Sequence, residues 1–432
     1  MSAGATGTPE STLPADSTSP VFGHAAKKYF AFDPSYINLN HGSYGSVPLP
    51  VLEACDKIGR EQDACPDKFY RLLLIPRLEA ARSQLATFVG AATDEVVFVP
   101  NATHGINTVL RNFIWHADDV IVGMSTTYGS ISKAMQYIAD VPPHPTLSIF
   151  QLTFPTTHST IIDKFCKHIK DIPRKNGQKI VAIIDSIVSN PGVKLPWQEM
   201  VKVCKEFGIW SVIDGAHSIG QELNLNLKDA DPDFWVSNCH KWLFCKRGCA
   251  ILYAPKKNQH IIRTTLPTSH NYKSIYLSKK SSTADFVNQF DWTGTIDFTS
   301  YLSVIHAFEF REMLGGEQRI NDYCHHLALE GGKCLAEVLK TYVMDDNGEL
   351  VLNMVNVKLP LDDVQWTTEL NDLIDKRLLE KWNIYAAHFY HDDKWWTRCS
   401  AQIWNEIGDF EYLGHAFLDI CTEIHHSLQQ HS

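Results

Sequence analysis

Lys241 and its neighbours form the stretch of this sequence best suited to chemistry. A run of apolar, β-branched and aromatic residues ends at Ser237, a short polar segment follows, and Lys241 is succeeded at once by Trp242, Leu243 and Phe244. A lysine among such neighbours is expected to be partly withdrawn from water, which disfavours its charged form and lowers its pKa. A neutral amine can form a Schiff base with an aldehyde. The alternative is an ordinary surface lysine beside a buried strand, which is the commoner situation for this residue type.

Asp214 and His217 provide a second group of candidate residues. The apolar run from Trp210 is typical of a buried strand that ends in Asp214, and Gly215 after it predicts a tight turn. In open α/β sheets, ligands bind beyond the carboxyl ends of the strands, which is where Asp214 is expected to lie. An aspartate that keeps a pyridine nitrogen protonated, followed about one strand later by a lysine, is typical of enzymes that bind pyridoxal phosphate.

Three motifs together resemble the class V aminotransferase family of fold type I: Asn38-Leu-Asn-His-Gly-Ser-Tyr-Gly45, Asp214-Gly-Ala-His217 and Ser237-Asn-Cys-His-Lys241-Trp. Within the family the chain resembles the isopenicillin N epimerase-like branch, and in that branch the fungal carbon–sulfur lyases that act on hercynylcysteine sulfoxide in ergothioneine biosynthesis. The resemblance implies an α/β fold with a mainly parallel seven-stranded sheet between helices and a small α+β C-terminal domain. It also implies pyridoxal 5'-phosphate as the cofactor.

The same resemblance implies roles for individual residues. Lys241 would bind the cofactor and remove the substrate α-proton, Asp214 would face the ring nitrogen, and His217 would lie on the O3′ side of the ring. Tyr128 would stack on the ring and could deliver a proton to a leaving group. Further cofactor contacts are implied for Ala102, Thr103, Ser189, Ser237, His240 and Thr295. Substrate contacts are implied for Asn40, His41, Gly42 and Ser43 and, through the α-carboxylate, for Arg398.

Residues 96–113 independently predict an anion site. A short buried strand runs into Asn101 and then into an apolar helix. The free backbone N–H groups and the dipole at a helix N-terminus attract anions such as phosphate. Ala102 is small enough to admit a phosphate, and Thr103 adds a hydroxyl donor. An ordinary helix cap formed by Asn101 or Thr103 is the alternative.

Arg398 stands in apolar surroundings within a strand predicted around Trp396. A buried guanidinium needs an acidic partner, and its planar fork suits bidentate binding of a carboxylate. The partner is either a substrate carboxylate or an internal salt bridge.

The elements that position these residues follow from apolar patterning. The nearly continuous apolar run over residues 179–185 predicts a parallel strand covered on both faces. An amphipathic helix over residues 196–207 and the Asp214 strand complete a right-handed strand–helix–strand unit. A further strand over residues 247–253 is expected to be antiparallel. We predict a disordered tail over residues 1–20, a large cofactor-binding domain over 21–300 and a small α+β domain over 301–432.

Composition excludes several classes of protein. The 432 residues are 44% apolar and 20% charged, as in ordinary globular proteins. The net charge of −10 argues against a nucleic-acid partner, and the apolar runs are too short to span a membrane. Eleven scattered cysteines and the lack of a signal peptide favour reduced thiols in the cytoplasm, with the nucleus accessible by diffusion. No histidine or cysteine spacing predicts a metal site.

The reaction is less closely specified than the cofactor. No cysteine occurs between Cys334 and Cys399, which disfavours a desulfurase that uses a mobile thiol in the small domain. We expect a carbon–sulfur β-lyase that acts on a cysteine conjugate or its sulfoxide and releases pyruvate and ammonia. An amino-acid epimerase or a class V aminotransferase is the alternative, and a binding protein without cofactor is a distant third. The resemblance implies a homodimer with shared active sites, in which Gly294 and Thr295 reach the partner's phosphate.

Overall fold

The computed structural model describes residues 20–268, 272 and 284–431. Residues 1–19 of the predicted tail therefore lie outside the described residues. Within the described part, no helix combines the length and the apolar character needed to cross a bilayer. All eleven cysteines are free thiols.

The strands of the described residues belong to three sheets. In chain order they are β1 Ile37–Asn38, β2 Val96–Val99, β3 Val120–Met124, β4 Thr146–Phe150, β5 Ile180–Asp185, β6 Trp210–Asp214, β7 Phe234–Ser237, β8 Ala250–Tyr253, β9 Met354–Lys358, β10 Ile384–Tyr385, β11 Ala387–His391 and β12 Lys394–Ser400.

Helices cover these sheets. They are α1 His41–Tyr44, α2 Leu49–Ala64, α3 Pro66–Lys68, α4 Leu74–Phe88, α5 Ala102–Asn112, α6 Gly129–Asp140, α7 His158–Asp171, α8 Trp197–Glu206, α9 Leu227–Ala230, α10 Ala284–Asp291, α11 Thr299–Met313, α12 Gly316–Leu339, α13 Thr368–Lys376 and α14 Ile407–His431. Short 3₁₀ or π segments cover His24–Tyr29, Phe69–Leu73, Thr93–Glu95, Lys256–Ile261 and Arg377–Lys381.

The central sheet has seven strands in the order β2-β8-β7-β6-β5-β3-β4. Strand β8 runs antiparallel to β2 and β7, and the remaining neighbours are parallel. Every residue of β5 is buried. Its alternate side chains enter different apolar clusters, Ile180, Ala182 and Ile184 on one face and Val181 and Ile183 on the other. These strand directions confirm the predicted mainly parallel sheet with one antiparallel strand. Helices cover both faces of this sheet, as is usual for buried parallel strands.

The C-terminal part contains a three-stranded antiparallel sheet in the order β11-β12-β9. Helices α12 and α14 pack beside it through a separate apolar cluster. The N-terminal segment joins this unit, because β1 pairs in parallel with β10 and the Ser400 amide donates to the Leu39 carbonyl at 2.7 Å. Helix α11 places Val304 and Ala307 in the core of the large unit. The apolar core of the small unit therefore consists of residues from α12 onward together with Leu39 of the N-terminal segment.

Candidate active site

A cavity of about 390 Å³ opens where the central parallel strands β5, β6 and β7 end. This is the position at which ligands bind in open α/β sheets. The cavity is lined by Ser43, Tyr44, Asn101, Ala102, Thr103, Tyr128, Asp185, Ile187, Ser189, Asp214, Ala216, His217, Asn238, His240 and Lys241. Nine predicted site residues are thus brought together: Ser43, Ala102, Thr103, Tyr128, Ser189, Asp214, His217, His240 and Lys241.

Lys241 follows β7 in a turn, and its amine is withdrawn from solvent. Burial and the positive charge of Arg398 lower the pKa of Lys241 to about 7, although the Asp214 carboxylate acts in the opposite direction. The Lys241 Nζ lies 3.0 Å from His217 Nε2. The Trp242 indole N–H donates to His217 Nδ1 at 3.2 Å. A substantial fraction of Lys241 is therefore neutral at physiological pH, as Schiff-base formation requires.

Asp214 lies beside a second carboxyl group, that of Asp185. The two residues end adjacent parallel strands in the same register, and both are buried. Burial raises the pKa of Asp214 to about 6, while the Ala216 amide stabilises the carboxylate. Burial and the neighbouring charge of Asp214 raise the pKa of Asp185 well above its usual range. Asp185 Oδ2 has no hydrogen-bond partner among the described residues. Asp185 is therefore the member of the pair that holds a proton, and Asp214 carries the single negative charge.

The N-terminus of α5 also lines the cavity, through Asn101, Ala102 and Thr103. Asn101 caps the helix, since its Oδ1 accepts from the His104 amide at 2.8 Å. The Asn238 side chain accepts from the Ala102 amide at 2.8 Å and so joins β7 to α5. Thr103 and His240 both line the cavity. A helix of this length, with a hydroxyl at its first turn, suits a phosphate group.

His240 lines the cavity with one of its ring nitrogens already bonded to the main chain. Its Nδ1 donates to the Cys249 carbonyl at 2.8 Å, because a carbonyl oxygen can only accept. Burial lowers the pKa of His240 to about 4. In the neutral ring the Nε2 nitrogen is therefore unprotonated, and protonation would turn it into a donor toward an anion.

Arg398 lies behind the cavity wall and is almost completely buried. Its Nη1 donates to the Ser189 carbonyl at 2.7 Å, and its Nη2 donates to Asn40 Oδ1 at 2.8 Å and to Ser43 Oγ at 2.9 Å. Its Nε has no hydrogen-bond partner among the described residues. Burial lowers the pKa of Arg398 to about 10. The internal salt bridge considered above is absent from the described residues, so this buried cation is held by neutral groups alone.

The remaining predicted site residues lie outside the cavity lining. The Ser237 hydroxyl is fully buried and donates to the Gly215 carbonyl, so it stabilises the turn after β6 instead of facing a ligand. His41 Nε2 donates to the Lys241 carbonyl at 2.9 Å. The Gly42 amide donates to Ser400 Oγ at 3.2 Å. These three residues form hydrogen bonds within the protein next to the site and do not line the cavity.

Tyr128 and Thr295 are the exposed members of the predicted set. Tyr128 precedes α6, lines the cavity and is 50% exposed; its stacking on the cofactor ring stays a prediction. Thr295 lies in a different surface cleft, with Pro66, Tyr70 and Trp292. The chain does not bring Thr295 to its own cavity.

Six cavity-lining residues lie outside the predicted set of contacts: Tyr44, Asn101, Asp185, Ile187, Ala216 and Asn238. Asp185 ends an apolar strand just as Asp214 does, and that shared pattern was a usable signal. Asn238 follows Ser237 directly, and only the structure shows which of the two side chains faces the cavity.

The residues present fit pyridoxal 5′-phosphate. The donors at the α5 N-terminus suit the phosphate, the Asp214 carboxylate suits a protonated ring nitrogen, and the neutral Lys241 amine suits the aldehyde. The unpartnered Asp185 Oδ2 supplies a further polar contact inside the cavity. The volume lies within the range of cofactor pockets.

Comparison with known proteins agrees with this assignment. The aminotransferase class V family model matches residues 48–377, and the chain belongs to that family. Pyridoxal 5′-phosphate is its cofactor. The predicted family and fold class are thereby confirmed.

Two curated relatives match almost the whole chain. The L-cysteine desulfhydrase-like protein lolT1 of Epichloe uncinata is 33% identical, covering 93% of this chain and 96% of the relative. The hercynylcysteine sulfoxide lyase of Schizosaccharomyces pombe is 31% identical, covering 93% and 98%. Among solved structures, the complex of the cystine C–S lyase C-DES with cysteine persulfide has a TM-score of 0.73 at 18% identity, covering 89% of this chain and 97% of the other. This last similarity concerns the fold alone.

Proposed function

We propose that this chain is a pyridoxal-phosphate-dependent carbon–sulfur β-lyase that acts on S-substituted L-cysteine or its sulfoxide. The observation that carries this proposal is the absence of a thiol from the cavity lining, since all eleven cysteines lie in the described residues and none lines it. Cys399, beside Arg398, is fully buried in the small-domain cluster. Without an enzyme thiol to accept sulfur, the sulfur leaves with its own substituent. The relatives named as a desulfhydrase-like protein and as a sulfoxide lyase support the same reaction class.

The residues divide the work as follows. Arg398 binds the substrate α-carboxylate, exchanging contacts now made with Asn40, Ser43 and Ser189. The Lys241 amine takes the α-proton at Nζ. When bound, the cofactor supplies an electron sink for the negative charge that develops at Cα. The negatively charged Asp214 carboxylate would face the ring nitrogen of the cofactor and keep it protonated.

The products follow from the bonds that break. The Cα–H and Cβ–S bonds are cleaved, the leaving sulfur takes a proton, and the released enamine is hydrolysed by water. One cysteine thioether and one water thus give one thiol, one pyruvate and one ammonium ion, without net oxidation or reduction. A sulfoxide gives a sulfenic acid in place of the thiol. The Tyr128 hydroxyl, at the cavity entrance, is the proposed proton donor to the leaving sulfur.

We assign hercynylcysteine sulfoxide as the preferred substrate, which would place the enzyme in ergothioneine-type sulfur metabolism. The support is the similarity to the lyase of that name. The test supplies the purified holoenzyme with L-cysteine, S-alkylcysteine sulfoxides and hercynylcysteine sulfoxide. We expect equimolar pyruvate and ammonia, with the highest kcat/KM for hercynylcysteine sulfoxide. Turnover that needs an amino acceptor and yields no pyruvate would establish an aminotransferase instead, and inversion at Cα would establish an epimerase.

We further propose a cytoplasmic homodimer in which Thr295 completes the partner's phosphate site. Thr295 is exposed in a cleft away from its own cavity, and Leu72 and Ile75, close by in sequence to Tyr70 of that cleft, are also exposed. The eleven free thiols are compatible with a reducing compartment.

A further inference from the structure

The hydrogen bonds around His217 determine where its proton lies. An indole N–H can only donate, so the bond from Trp242 Nε1 makes His217 Nδ1 an acceptor without a proton. Both side chains are buried. Burial and the positive charges of Lys241 and Arg398 lower the pKa of His217 well below its usual range, so the ring is neutral. A neutral imidazole carries one proton, and that proton must therefore lie on Nε2.

The same reasoning extends to Lys241. His217 Nε2 lies 3.0 Å from Lys241 Nζ. Because Nε2 carries a hydrogen, the amine nitrogen must accept it, and only an uncharged amine has a lone pair to do so. If Lys241 were an ammonium, its N–H would face the N–H of His217 Nε2, and no hydrogen bond could form between them.

We propose that Trp242 is a positioning residue: its indole N–H fixes His217 as the Nε2–H tautomer and thereby holds Lys241 as a neutral hydrogen-bond acceptor. This inference rests on the proposed role of Lys241. It assigns to the tryptophan after the lysine an electrostatic function in addition to packing. Loss of the indole donor would free Nδ1, allow the other tautomer and let Nε2 accept from a charged Lys241.

The other ionisable groups around Trp242, His217 and Lys241 do not determine which nitrogen of His217 carries the proton. Asp214 favours the charged amine, whereas Arg398 disfavours it. His41 and His240 carry no charge near neutral pH, since burial lowers the pKa of His41 to about 3 and that of His240 to about 4. None of these groups bonds Nδ1 of His217, so a change at Trp242 leaves their contribution in place.

Trp235 provides a matched control. It is as buried as Trp242 and lies beside Gly215 in the turn that leads to His217. Its indole N–H has no hydrogen-bond partner among the described residues. Trp235→Phe and Trp242→Phe thus remove the same atoms from equally buried positions, but only the second removes a bond to His217.

The experiment measures the rate at which cofactor-free protein captures pyridoxal phosphate, followed by visible absorbance as a function of pH. The midpoint reports the pKa of Lys241. We expect wild type and Trp235→Phe to share a midpoint near 7. Trp242→Phe is expected to move it upward by about one unit, which slows capture about tenfold below the midpoint. An unchanged midpoint in Trp242→Phe, or an equal shift in Trp235→Phe, would overturn the proposal.

A second measurement needs no tryptophan variant. In wild-type protein labelled with ¹⁵N-histidine, the His217 signals, identified by their loss in His217→Gln, should show a protonated Nε2 and a bare Nδ1. A protonated Nδ1 in the cofactor-free protein would refute the tautomer assignment. Should Lys241→Ala still capture the cofactor covalently, the role of Lys241 would fail instead, while the tautomer result would stand.

Discussion

At the scale of single residues, burial holds several ionisable groups of the site in their uncharged forms. Desolvation lowers the pKa of Lys241 to about 7, of His240 to about 4 and of His41 to about 3. Desolvation also raises the pKa of Asp185. Arg398 stays charged, because even a pKa of about 10 leaves it protonated at neutral pH. The cavity therefore presents a neutral nucleophilic amine, and one buried cation lies behind its wall, bonded to the lining residues Ser43 and Ser189.

Asp185→Asn is expected to stabilise the cofactor-free protein, and more at pH 8 than at pH 5. A carboxyl whose pKa is raised on folding stabilises the fold at low pH, and that contribution is lost as the pH rises toward the folded-state value. Asparagine has no such titration. The gain at pH 8 should be on the order of 1–3 kcal/mol, the usual penalty for an unsatisfied buried polar group. Denaturant unfolding at both pH values measures it, and an equal gain at the two would contradict the raised pKa.

Arg398→Gln is expected to raise KM for the amino-acid substrate about 10- to 100-fold while the protein keeps its cofactor. Charge-assisted hydrogen bonds contribute about 1.5–3 kcal/mol, and glutamine keeps polarity without charge. The control is a substrate analogue without the α-carboxylate. Wild type should discriminate strongly against it, and the variant should not. Equal discrimination by both proteins would show that Arg398 binds something else.

Sequence reasoning identified residues whose type is unusual for their surroundings. Lys241 and Arg398 are long cations among apolar neighbours, and Asp214 ends an apolar strand. It did not identify the Asp185–Asp214 pair, because that contact depends on which strands are adjacent and on their register. Ser237 was predicted to face the cofactor, but its hydroxyl is used within the turn.

At the scale of elements, the junction of β7 and α5 positions the proposed phosphate end. The Asn238 side chain accepts from the first amide of α5, so the end of one strand and the start of one helix move as a unit. Gly105 permits this close packing, since a Cβ there would lie 2.7 Å from Val236. The helix N-terminus is thus held close to the turn that carries Lys241.

Thr103→Val is expected to weaken pyridoxal phosphate binding about tenfold, because the isosteric side chain lacks the hydroxyl donor to a charged phosphate. Thr108→Val is the control, since Thr108 is buried on the same helix but does not line the cavity. Equilibrium titration of the cofactor-free proteins measures both. Equal losses in the two variants would indicate a general effect on α5.

Strand and helix positions followed from apolar periodicity because their signals are local. Helix α8, for example, falls within the predicted range 196–207. The association of Asn40 with Arg398 was not predictable in this way, since these residues are 358 positions apart. Their contact depends on β1 joining the small unit through β10.

At the scale of the whole molecule, the hydrogen bonds of the Arg398 guanidinium join three parts of the chain that are distant in sequence. Arg398 of the small unit contacts Asn40 and Ser43 of the N-terminal segment and Ser189 of the large unit. Substrate binding at Arg398 would therefore depend on how these parts are held together. In the proposed dimer the site would also include a residue of the second chain, Thr295.

Mixed dimers purified with two different tags test the shared site. A dimer of Lys241→Ala with Thr295→Glu should keep about half of wild-type activity, because one site retains both its own lysine and the partner's threonine. A dimer of wild type with the double variant should be nearly inactive. The reverse pattern would place Thr295 in its own chain's site, and a monomeric protein would remove the shared site altogether.

The assignment of Lys241 as the residue that holds the cofactor is tested most directly by borohydride reduction of the holoenzyme, proteolysis and mass spectrometry. The account predicts a phosphopyridoxyl group on the peptide that contains Lys241 and on no other lysine. A label on a different lysine, or a fully active enzyme that acquires no label, would contradict it.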